Sequence, residues 1–122
     1  MAEKSCGCSG GTKLIFTCSG CSDLGEIADR TGRQLSKDGI GKMSCLAGIG
    51  AGISGFIASA KGACKVLAIN GCPVDCAKKS MEKAGVQNFI HLRLTDLGLE
   101  KGKSPANKEN VEKVYEAAKK LL

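Results

Sequence analysis

The chain reads as a single small α/β domain. It predicts about four parallel strands in the order 2-1-3-4 with helices on both faces of the sheet, half of a Rossmann-like fold. Three observations predict this. Short apolar runs alternate with amphipathic stretches at helical spacing, from Lys13 to Leu122. The stretches between runs leave room for right-handed crossovers, which make successive strands parallel. A length of 122 residues with 17 glycines and 2 prolines suits one domain built from tight strand–helix turns. Aromatics are 3% with no Trp, so the core must be built from Ile, Leu, Val and Ala.

Residues 1–12 form a small polar tail carrying Cys6 and Cys8, and residues 13–122 form the α/β domain. Lys13–Cys18 is a buried-strand run, and Ser19–Ser22 is the turn after it. Asp23 suits a helix N-cap with Glu26 in capping-box position, and Leu24, Ile27, Ala28, Thr31 and Leu35 share one face of the helix that follows. Gly41–Leu46 is a weaker second strand, followed by a glycine-rich loop and a short helix over about Ile53–Ala60. Cys64–Ile69 is the clearest strand, and its helix ends at Gly85, a good residue for the position after a helix. Asn88–Leu94 alternates as a fourth strand, and a loop through Ser104-Pro105 reaches a last helix from about Lys108 to Leu122. That helix would bury Val111, Val114, Tyr115, Ala118 and Leu122.

Ile69–Lys79 carries the strongest chemical signal. Pro73 suits the first helical position, which puts Cys72 at the N-cap and Cys76 on the same face one turn later. The macrodipole and free N–H groups there favour negative charge, and thiolate is the form that binds metal or attacks a disulfide. On the predicted sheet, Cys18 and Cys21, Cys45, and Cys72 and Cys76 all fall at the carboxyl ends of three adjacent strands, where open α/β sheets bind ligands. Cys64 begins the third strand and reads as packing. Four thiolates at about 2.3 Å from a central ion satisfy tetrahedral zinc, and Fe–S clusters accept similar ligation.

The segments Cys18–Glu26, Met43–Gly50 and Asn70–Lys79 together resemble the DGC-domain family, small proteins described as zinc-binding and named for an Asp-Gly-Cys motif. The resemblance implies metal ligation by Cys18, Cys45, Cys72 and Cys76, with Cys21 as a fifth thiol, and implies no particular reaction. The naming Asp is Asn70 here, whose amide can still hydrogen-bond a thiolate. Gly20, Gly48 and Gly50 are candidates to approach the sulfurs, the last two in a glycine-rich lid whose N–H groups reach them. Asp96, at the end of the fourth strand, is a candidate acid–base or supporting residue.

Other signals weigh less. The net charge of +6 is scattered and has few aromatics beside it, which argues against nucleic acid. The uncharged run Met43–Ala60 is broken by glycine and serine, unlike a membrane span. No apolar signal region follows Met1–Ser5, which predicts a cytoplasmic, reducing home. There, 8 cysteines point to metal or redox chemistry and not to a disulfide framework. Gly50–Gly55 meets the dinucleotide fingerprint formally but follows the second strand, in half of the fold that motif needs. His91, the one histidine, reads as a strand residue, and Ser19 and Ser22 as partners of backbone. The function expected is therefore a zinc-binding thiolate site used in metal handling, sensing or ligand binding. The alternatives are a thiol–disulfide oxidoreductase using Cys18 and Cys21, and an Fe–S protein.

Overall fold

A computed structural model describes residues 11–122; Cys6 and Cys8 lie outside the described residues. The elements are β1 (Lys13–Thr17), α1 (Asp23–Lys37), β2 (Lys42–Met43), α2 (Leu46–Gly50), α3 (Ser54–Gly62), β3 (Lys65–Asn70), α4 (Cys76–Lys83), β4 (Ile90–Arg93), a 3-10 turn (Leu94–Leu97) and α5 (Lys108–Leu121). The strands form one four-stranded sheet in the order β2-β1-β3-β4, all pairs parallel, as the alternation of runs predicts.

Strand periodicity sorts the core into two layers. Ile15, Leu67, Ile69 and Leu92 meet Leu24, Ile27, Leu35, Val114 and Ala118 of α1 and α5 on one face. Leu14, Phe16 and Val66 meet Ile49, Ala60 and Met81 of α2, α3 and α4 on the other. The face expected of the last helix is the observed one, with Val114 and Ala118 fully buried.

Five local expectations are corrected. Ser22, not Asp23, caps α1: its hydroxyl accepts the Gly25 N–H at 3.1 Å. Asp23 instead accepts the N–H groups of Leu24, Gly102 and Ser104, tying the loop before α5 to the start of α1. Those bonds, that of Gly102 foremost, outweigh desolvation and hold its carboxyl below the usual range. The second strand contracts to two residues, because after Ser44 donates to Ile15 O at 2.8 Å the chain turns into α2 with Cys45 at its N-cap. The glycine-rich segment expected as a loop over the site is therefore partly helix. The fourth helix starts at Cys76, not after Pro73: Cys72–Val74 form a turn, and Asp75 takes a left-handed conformation (φ 58°) at the N-cap. β4 ends at Arg93, since Leu94 enters the 3-10 turn. Among the described residues no helix is long and apolar enough to cross a membrane.

Candidate metal-binding thiol site

Three turns meet at the carboxyl edge of the sheet. Cys18 extends β1, its N–H donating to Ile69 O at 3.0 Å, and its Sγ accepts the N–H of Gly71 at 3.3 Å. Gly71 makes this approach close: a Cβ there would lie 3.0 Å from backbone and side-chain carbon of Leu24. The β3–α4 turn thus rests directly on the first turn of α1, beside Cys21. Cys18, Cys21, Cys72 and Cys76 line one cleft of about 210 Å³, together with Asp75 and Lys101. Cys18 and Cys72 are half-buried, whereas Cys21 and Cys76 are exposed.

Cys45 lines a different, larger cleft of about 990 Å³, and Cys18 is the one thiol that borders both. All five cysteines carry free thiols. Cys64, expected as packing, is half-buried just before β3, its N–H donating to Thr12 O at 2.8 Å. Among the described residues no three Cys, His, Asp or Glu side chains already stand close enough to hold a metal ion. What fits a soft metal is the donor chemistry, because four thiols share one small cleft and its one carboxylate, Asp75, is committed elsewhere.

That commitment builds the turn. Asp75 is buried and receives Arg93 through both carboxylate oxygens, Nε donating at 2.8 Å. The Arg93 hydrogen bond is the main reason its carboxyl sits below the usual range, against desolvation. His91 Nε2 lies 3.4 Å from the same carboxylate without a hydrogen bond's alignment, so the lone histidine backs the turn from β4. Asn70 is fully buried, and its Oδ1 accepts the N–H groups of Ala77 and Lys78 at 2.9 and 3.2 Å. It caps α4 from a distance, doing the work expected of Cys72; its Nδ2 has no hydrogen-bond partner among the described residues. Asp96 is exposed and lies 3.6 Å from Arg93 Nη1, on the guanidinium that holds Asp75.

The glycines serve packing more than sulfur. Gly48 is buried against the ring of Phe56, where a Cβ would come within 2.5 Å. Gly20 lines the smaller cleft and Gly50 the larger. Ser19 departs from its expected backbone role. At φ 43° its hydroxyl bonds Thr17 Oγ1 and donates to Asp29 Oδ1 at 2.8 Å, while Asp29 Oδ2 accepts Arg33 Nε at 2.7 Å. Burial pushes the Asp29 carboxyl up, but the bonds from Arg33 and Ser19 win and leave it below the usual range. Sequence reasoning missed this chain; the Asp29–Arg33 spacing of four on the polar face of α1 was the available signal.

The sequence model described as the DGC domain matches residues 14–118. The anaerobic and virulence modulator AnvM of Pseudomonas aeruginosa is 33% identical over 88 residues, which cover 72% of this chain and 67% of that protein. No solved structure matches the chain.

Proposed function

The chain belongs to the DGC-domain family, and on that premise we propose that it is a metal-binding protein whose thiolates hold zinc at the carboxyl edge of the sheet. The observation that carries the proposal is the sharing of one cleft by four free thiols, Cys18, Cys21, Cys72 and Cys76. It favours Cys21 over Cys45 as the fourth ligand beside Cys18, Cys72 and Cys76. A zinc ion bound there would supply Lewis acidity and hold its ligands as thiolates. The protein's own part is orientation. The Gly71 N–H steadies the Cys18 sulfur, Asn70 starts the helix that carries Cys76, and the Asp75–Arg93 pair fixes the turn between Cys72 and Cys76. With two ligands exposed, the ion would stay open to exchange, which suits sensing or metal transfer better than a closed structural staple. The name of the bacterial relative, a modulator, supports a sensing role.

The test is elemental analysis with a visible spectrum on protein purified without air or chelator. About one zinc per chain is expected, falling below roughly a tenth in Cys72→Ser and in Cys21→Ser, with Cys45→Ser keeping most of it. Iron with visible absorption would keep the ligands and turn the site to electron transfer. A metal-free protein would overturn the proposal. It would leave the thiol–disulfide alternative, favoured by the position of Cys18 and Cys21 between β1 and the N-terminus of α1, where Cys21→Ser abolishes dithiol turnover.

A further inference from the structure

The larger cleft has a chemistry that the thiol site does not use. It opens between the outer face of α1 and the segment that joins β2 to α2, at about 990 Å³. Cys18 and Cys45 form one edge, Met43 and Leu46 supply apolar surface, and Arg33 and Lys37 of α1 supply cations. The two cations are one helical turn apart and therefore on one face. Among the described residues Asp29 is the only carboxylate lining the cleft, and Arg33 and Ser19 already hold it. Arg33 makes that bond with Nε, which leaves its two terminal nitrogens as donors. Lys37 has no ion pair among the described residues. The lining thus carries an uncompensated positive charge facing two free thiols.

We propose that this cleft binds a small organic anion, its carboxylate or phosphate end on Arg33 and Lys37 and its other end against Cys45 and Cys18. A guanidinium offers the planar paired donors that such an oxyanion takes up, and a neighbouring ammonium adds a point charge. The volume suits a small metabolite and not a macromolecule. Because Cys18 also borders the smaller cleft, the occupant would lie directly beside the proposed metal ligands. Binding of the anion itself does not depend on a metal being held there.

Iodoacetate is a suitable probe, since it carries a carboxylate at one end and alkylates thiols at the other; iodoacetamide is its uncharged match. The full chain is treated with each reagent, and the rate at every cysteine is read by peptide mass spectrometry. Inorganic phosphate and citrate are then added separately as competitors at matched ionic strength. At Cys45 the rate ratio of iodoacetate to iodoacetamide should fall about tenfold in the double variant Arg33→Gln, Lys37→Gln, while the ratio at Cys76, which lies in the other cleft, stays unchanged. Both substituted residues are exposed, so the variant should fold, and its circular dichroism spectrum checks this. Protection of Cys45 by phosphate identifies a phosphate end as an accepted ligand, and protection by citrate a carboxylate end; either supports the site. A ratio at Cys45 that does not change in the folded variant, or no protection by either competitor beyond that of sodium chloride, overturns it. Metal content is measured on the same samples, so failure of the anion site is distinguishable from failure of the zinc site.

Discussion

Asn70 acts on the thiol turn through its carbonyl oxygen alone, which accepts two N–H groups at the start of α4. A carboxylate could accept the same two bonds, which gives a physical reason why the motif tolerates Asn where the family name has Asp. Far from the site, Tyr115 of α5 donates its hydroxyl to Asp38 at the end of α1. That hydrogen bond, more than desolvation, pushes the phenol up to about 12. Because Tyr115 is the one tyrosine and the chain has no Trp, its ultraviolet titration is uncluttered. The phenolate should appear near pH 12, and Asp38→Asn should return it towards the ordinary value of about 10. The sign follows from a raised folded value: the contribution to stability is complete below about pH 10 and is lost as pH rises towards that of the folded phenol.

Between elements, the site depends on how closely two turns approach the first turn of α1. A Cβ on Gly25 would lie 2.6 Å from the backbone of Gly20, and one on Gly71 would press on Leu24. Backbone neighbours cannot rotate away as a flexible side chain can. Gly71→Ala should therefore cost about 1–3 kcal/mol in chemical denaturation, the usual range for overpacking. It should also lower metal content, because the turn carrying Cys72 is pushed off the turn carrying Cys18 and Cys21. Gly50→Ala, where a Cβ meets nothing within 4 Å, is the control and should leave both nearly unchanged. A Gly71→Ala protein that keeps full stability and metal would show that the contact does not set the thiol geometry.

For the molecule as a whole, the core lies on both faces of the sheet and its buried residues include none of the five free thiols. Cys18 and Cys72 only pack against its rim. Folding should consequently survive metal removal. After chelation the helical circular dichroism should persist, with a single unfolding transition. Zinc at about 1,000 times its dissociation constant should add about 4 kcal/mol, raising Tm by on the order of 10 °C. Loss of the helical signal on chelation would instead make the metal a folding element.

Apolar periodicity and crossover length were enough to determine four parallel strands, their order and the faces that α1 and α5 bury, because burial of alternating residues leaves few consistent arrangements. The same reasoning placed Cys18, Cys21, Cys45, Cys72 and Cys76 at one edge, since strand ends are set by topology; four of them line one cleft there, and Cys45 does not. Only the tertiary structure decided what surrounds them. The Arg93–Asp75 pair and the bond that the Ala77 N–H donates to Asn70 join residues 18 and 7 positions apart, at a helix that starts at Cys76 instead of after Pro73. Local propensity alone favours the earlier start, and it was overruled by groups brought from β4 and β3. The separation of Cys45 into the larger cleft has the same origin: β2 ends after two residues, and the chain turns into α2 instead of continuing as a strand. Spacing in the chain carries no trace of such contacts, because their energy exists only once the sheet has assembled.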